Sequence, residues 1–119
     1  MRRTVLFIDA EPAAAETFKS LCDETLIDIV TLHPDSFEMA LVPARVDLVI
    51  INVTTAEGLE TLQVLKQNPA TAQLHIIALV AKDTLYAGDS PLEAGADGAI
   101  GLPLDARAVS HIMTFLMQM

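Results

Sequence analysis

DLVIINV at residues 47–53 and LHIIALV at residues 74–80 decide the fold. A strand with one wet face alternates apolar and polar residues, whereas these two are nearly continuous in Leu, Ile and Val. Such runs belong to parallel sheets whose two faces are both covered. VLFI at residues 5–8 has the same texture. Five strands are predicted in all, over residues 4–8, 26–32, 46–53, 74–81 and 98–102, so helices must lie on both sides of the sheet.

The intervening segments change rhythm and supply those helices. Pro12 suits a first helical turn, and Ala14, Phe18, Leu21 and Cys22 share one stripe. Pro34 with Phe37, Leu41 and Val42 predicts a second helix, stopped before Pro43. Leu59, Leu62, Leu65 and Lys66 predict a third that ends at Asn68-Pro69. Gly88, Asp89, Ser90 and Pro91 interrupt the fourth, leaving a short helix over 91–94. Asp105 reads as the N-cap of a fifth, with Val109, Ile112, Met113 and Leu116 as its core stripe. Strict β and α alternation over 119 residues predicts an α/β, flavodoxin-like, doubly wound (βα)5 three-layer sandwich with parallel sheet order 2-1-3-4-5, a single domain over residues 1–119.

Composition narrows the function. There are 7 basic and 16 acidic residues, for a net charge of −9, and only Arg2 and Arg3 are adjacent cations. Nucleic-acid binding needs clustered Lys and Arg, so no nucleic-acid partner is expected, and a charged partner would be basic. No run approaches the roughly 18 apolar residues of a membrane span, so no membrane association is expected. Cys22 is the one cysteine, which excludes an internal disulfide and fits a cytoplasmic location. His33, His75 and His111 lack metal-ligand spacing. After the first strand the chain reads Asp9-Ala10-Glu11-Pro12, not the Thr, Ser and Gly of a flavin phosphate loop.

In a sheet of this order the ligand crevice lies beyond the carboxyl ends of the strands, where the order reverses. The residues there carry a resemblance. VLFIDAEP at 5–12, VDLVIINV at 46–53, NPATAQLHIIALVA at 68–81 and LEAGADGAIGLP at 92–103 together resemble the receiver domain of bacterial two-component response regulators, over essentially the whole chain. The resemblance implies a receiver whose chemistry has been removed. The phosphoryl-accepting aspartate falls on Asn52, whose amide cannot act as the acyl-phosphate nucleophile. Of the acidic pair that helps hold magnesium, Asp9 remains and its neighbour is Ala10; the hydroxyl position is Val80, the lysine position Leu102 and the aromatic switch Ala99. Asp9, Ala10, Asn52, Val80 and Leu102 are thus degenerate phosphoacceptor-site positions, with no catalytic residue, no bound metal and no cofactor expected. Lys82 could stand in for the missing lysine, but a solvated loop lysine is commoner. The resemblance also implies a cis peptide before Pro103.

Those losses agree with one another, since an orthodox site packs carboxylates whose repulsion a lysine and a divalent cation relieve. The expected function is that of a pseudo-receiver: a non-enzymatic protein–protein interaction module in bacterial signal transduction that acts without phosphorylation. The alternative is a receiver that still switches, through an unorthodox acceptor or a small ligand in the strand-end crevice. In the family, the fourth helix, fifth strand and fifth helix form the usual partner surface, which places Leu92, Ala99, Met113 and Met117 at the interface with a protein partner, a homodimer being one form of it. Met117, Met119 and Phe115 are apolar surplus on the last helix, and flexible methionines suit adaptable contacts.

Overall fold

Val5, Leu6, Phe7 and Ile8 are all closed to solvent, as are Leu48, Val49, Ile50 and Ile51. Side chains of a strand alternate between faces, so a strand buried residue after residue requires a layer on each side. The computed structural model, which describes residues 2–22, 25–38, 41–81 and 95–118, supplies both. Its strands are β1 (Arg3–Ile8), β2 (Ile27–Leu32), β3 (Leu48–Asn52), β4 (Ile76–Ala81) and β5 (Gly98–Leu102). They form one parallel sheet in the order β2-β1-β3-β4-β5, as predicted.

The helices are α1 (Pro12–Leu21), α2 (Ala56–Gln67) and α3 (Ala106–Met117). On one face Val5, Phe7, Leu48, Ile50 and Leu79 pack against Ala15 and Phe18 of α1 and Val109, Ile112 and Leu116 of α3. Phe7 and Phe18 meet with ring centroids 5.9 Å apart. On the other face Leu6, Ile8, Val49, Ile51, Ile76 and Ala78 pack against Leu62 and Leu65 of α2. Full burial of one such side chain is worth about 1.5–3 kcal/mol.

Local signals fix the element ends. Pro12 opens α1, whose missing N–H costs nothing in the first turn. The Thr55 hydroxyl caps α2 by accepting from the Gly58 N–H, and the Asp105 carboxylate caps α3 by accepting from Ala108 at 2.8 Å. Two aspartates repeat one device at the opposite end of the sheet. Asp47 accepts from the Thr4 N–H at 2.8 Å and Asp97 from the Ile76 N–H at 2.7 Å, each serving the first donors of a neighbouring strand. Arg3 and Arg45 both lie 3.7 Å from the Asp47 carboxylate.

Among the described residues of the span 34–42 the expected second helix is not formed. After β2 the chain makes a 3-10 turn over Pro34–Ser36, and Phe37 is extended. The His33 Nδ1 accepts from the Asp35 N–H at 3.0 Å and Phe37 donates back to the Pro34 carbonyl, so the turn closes on itself. Pro34 and Pro43 bracket too few residues to offset helix nucleation, and Phe37 and Val42 reach the α2-side core without a helix. The interrupted fourth helix, with Gly88 to Pro91, Leu92 and the 91–94 span, lies outside the described residues, as do Lys82 and Met119. The Leu102–Pro103 peptide is cis, as the resemblance implies.

Phe18→Ala is expected to lower unfolding stability by about 3–5 kcal/mol, the cost of a cavity in a closed core. Phe115→Ala, at a residue 38% exposed, should cost a small fraction of that. Urea denaturation of the two variants beside the parent checks the contrast.

Candidate functional site

β1 and β3 are neighbours in register, with Ile8 opposite Ile51, so the residues that follow, Asp9 and Asn52, emerge side by side at the carboxyl end of the sheet. There they bond. The Asn52 Nδ2 donates to both carboxylate oxygens of Asp9, at 3.1 Å and 3.2 Å. The Glu11 N–H donates to Asp9 Oδ1 at 2.9 Å, and the Thr54 N–H donates to Asn52 Oδ1 at 2.8 Å. Each side chain thus fastens its own outgoing loop, and the amide fastens the two loops together. Hydrogen bonds to an ionised acceptor are about twice as strong as neutral ones.

The helix that follows is pressed onto the same point. A Cβ at Gly58 would collide with the Asn52 backbone carbonyl, so only glycine lets the first turn of α2 approach this closely. Ala10 and Glu11 are exposed. Val80 is buried at 6% exposure, and Leu102 packs with the α1–α3 core. With Val80 opposite Gly101 and Ala81 opposite Leu102, the ends of β4 and β5 bring only apolar side chains to this part of the sheet.

The donor set does not suit magnesium. That ion takes near-octahedral oxygen ligation with one or two carboxylates. Both oxygens of Asp9 already accept the Asn52 amide, the Asn52 oxygen accepts Thr54, and Ala10 offers nothing. Among the described residues no group of three or more His, Cys, Asp or Glu side chains could hold a metal ion. No helix among them is long and apolar enough to cross a membrane.

A hollow of about 400 Å³ opens beside the pair, lined by Asp9, Ala10, Glu16, Lys19, Thr31 and His33. It lies toward β2, away from Asn52. The junction of β1 and β3, where the strand order reverses, is bridged by the Asn52–Asp9 bond.

Of the residues expected at an interface, Ala99, Met113 and Met117 are among the described residues. Ile100 and Leu102 of β5 pack with the α1–α3 layer, so by strand alternation Ala99 points to the opposite face. Met113 and Met117 lie on the flank of α3 that faces α1, while His111 and Phe115 lie on the flank beside β4 and β5. Leu92 is outside the described residues. Sequence reasoning places Asp9 and Asn52 at strand ends and misses the bond between them. The signal is there: two polar residues each ending an apolar strand, on strands expected to be neighbours.

No family model matches the chain, and no curated protein matches it. Solved structures do. The chemotaxis response regulator CheY4 of Vibrio cholerae aligns over 98% of this chain and 99% of its own, with TM-score 0.82 and 14% identity. The signal receiver domain of a DNA-binding response regulator from Colwellia psychrerythraea gives 0.81 and 19%, over 98% and 99% of the two chains. The receiver domain of a signal transduction histidine kinase from Syntrophus aciditrophicus gives 0.76 and 24%, over 98% and 90%. The fold of this chain is that of receiver domains.

Asn52→Asp is expected to destabilise the protein at neutral pH, because it sets a second carboxylate against Asp9 in place of the amide donor. A like charge at this distance holds one carboxyl protonated in the folded state, its pKa above the unfolded value. Such a group stabilises at low pH and loses that contribution as pH rises through the folded pKa, at about 1.4 kcal/mol for each tenfold change in proton affinity. The deficit relative to the parent should therefore shrink on acidification. Melting curves from acid to neutral pH check this, and a variant more stable than the parent at neutral pH would refute it.

Proposed function

We propose that this receiver-fold chain is a phosphorylation-independent pseudo-receiver, a non-enzymatic protein–protein interaction module of bacterial signal transduction working in the cytoplasm. The observation that carries the reading is the Asn52 amide donating to both oxygens of Asp9. An amide is no nucleophile toward a phosphodonor, and phosphoryl transfer depends on positioned positive charge. Here the acceptor position is neutral, the one retained carboxylate is engaged, and Val80 and Leu102 stand where the hydroxyl and the lysine would act. Ala99 in place of the aromatic switch leaves no side chain to report an event in the crevice. Binding is then constitutive, carried by apolar surface around α3, with Met113 and Met117 as its adaptable part.

A second reading has one observation in its favour. The hollow toward β2 is lined by Lys19 and His33 together with Asp9, Glu11 and Glu16, a polar setting for a small ligand that would make the domain a switch of another kind.

Incubation with a small phosphodonor and magnesium, followed by intact mass, is expected to add no phosphoryl group. Asn52→Asp should remain a poor acceptor, since it restores neither the second carboxylate nor the lysine. A base-labile, stoichiometric gain of one phosphoryl group on the parent chain would favour the switching reading. Asn52→Ala is expected to leave partner binding intact, whereas a charge at Met117 weakens it.

A further inference from the structure

A groove of about 290 Å³ runs between the Pro34–Ser36 turn and α2. Its apolar strip is Pro34 and Phe37 on one wall and Val64, 45% exposed, on the other. Glu57, Glu60, Thr61 and Val64 recur at helical spacing, which puts them on the one flank of α2 that faces the turn. Thr61 is buried there, and its hydroxyl donates to the Glu57 carbonyl at 2.8 Å, so this polar side chain is already satisfied. The turn is closed by its own hydrogen bonds, and Phe37 packs against the α2-side core. Preformed walls have little freedom left to lose on binding.

Charge selects what can enter. Asp35 on the turn and Glu57 and Glu60 on α2 rim the strip from both sides, and no Lys or Arg among the described residues lines it. The chain's cations are placed elsewhere. Arg2 engages Asp28 at 3.0 Å, Arg3 and Arg45 lie against Asp47, and Lys66 donates to the carbonyls of Ala72 and Leu74. Lys19 lines the hollow beside Asp9, Arg107 stands on α3, and Lys82, the one cation outside the described residues, follows β4. The His33 ring lies 3.9 Å from the Asp35 carboxylate and accepts the Asp35 N–H at Nδ1, as a neutral imidazole does. Met39 and Ala40, outside the described residues, carry no charge. We propose that this groove docks a basic segment of a protein partner, in which one apolar side chain is flanked on both sides by Lys or Arg. The apolar side chain fills the strip beside Phe37 and Val64, and the flanking cations reach the carboxylates of the two walls. Charge pairs at such a rim add on-rate and specificity more than affinity. A second copy of this chain, at −9, and a nucleic acid are both repelled by it. The inference goes beyond the proposed function, which rests on α3: α2 packs on the opposite face of the sheet, so this is a second surface.

The acetylated and amidated peptide Lys-Lys-Leu-Lys-Lys serves as the probe, titrated into isotope-labelled protein at low salt and followed by amide chemical shifts. Saturable shifts are expected at Phe37, Glu60 and Val64, and binding should weaken as salt screens the rim. Glu60→Lys is expected to weaken it about tenfold, by losing one pair and adding a repulsion. Val64→Ala, or alanine in place of the peptide's leucine, should weaken it several-fold. Asp28→Lys makes the same change of charge on β2, away from the groove, and is expected to bind as the parent does. Each variant is checked for folding by circular dichroism. Absence of saturable binding overturns the proposal. So does equal loss with Glu60→Lys and Asp28→Lys, or equal binding of the alanine peptide, since either marks a general attraction to an acidic chain. Shifts centred on Met113 and Met117 refute the groove and leave the α3 surface of the proposed function in place. Phosphoryl mass gained by the parent chain would refute the silent crevice and leave the groove result standing.

Discussion

β1 and β3 have no face to give to water, and most of the architecture follows from that. Because Val5 and Phe7 bury on one side and Leu6 and Ile8 on the other, the sheet must be sandwiched, and α1 with α3 on one face and α2 on the other do this. Polar side chains can then appear only where the central strands stop. At one end the backbone donors of the strand starts are met by Asp47 and Asp97. At the other, Asp9 and Asn52 are the first polar residues to leave the buried strands, and the register delivers them to each other. The candidate site is a consequence of the core, since the register of the buried strands sets its two side chains next to each other.

The pair solves an electrostatic problem without a cation. An isolated carboxylate at the mouth of an apolar sheet is costly unless it is bonded. A magnesium ion and a lysine would be one solution, and they would require further carboxylates to hold the metal. The Asn52 amide together with the Glu11 N–H, both donating to the carboxylate, is another. It leaves no second carboxylate to balance, which is why Val80 and Leu102 can sit nearby with only apolar atoms to offer. The bonded pair and the apolar Val80 and Leu102 are mutually consistent, so the site is better understood as one unit than as separate residues.

Strand order and the caps at Pro12 and Asp105 are legible in the sequence because each rests on a local rule: continuous apolar runs, or a single capping residue. The helix expected after β2 fails because Phe37, Leu41 and Val42 have helical spacing but are bracketed by Pro34 and Pro43. Phe37 leaves a closed turn in extended form and still packs against the α2-side core, so spacing cannot tell burial by a helix from burial by a folded loop. The apolar Val80 and Leu102 at the ends of β4 and β5 are legible from residue types alone. The Asn52–Asp9 bond needs the register of β1 against β3 as well, which no local rule supplies.

The same limit applies to α3. Its sequence gives one apolar excess, and the surplus of Met113, Phe115 and Met117 reads as a single face. In three dimensions the core stripe of Val109, Ile112 and Leu116 divides that surplus. Phe115 goes toward β4 and β5, where it meets His75 edge to face with centroids 5.5 Å apart. Met113 and Met117 go toward α1, where Leu21 and Leu26 extend them into a groove. One flank carries the ionisable side chains His75, Asp97 and His111, and the described residues that line the other are uncharged. A single helix thus presents two chemically different surfaces, divided by the stripe that fixes it to the sheet, and nothing in its own sequence spacing separates them.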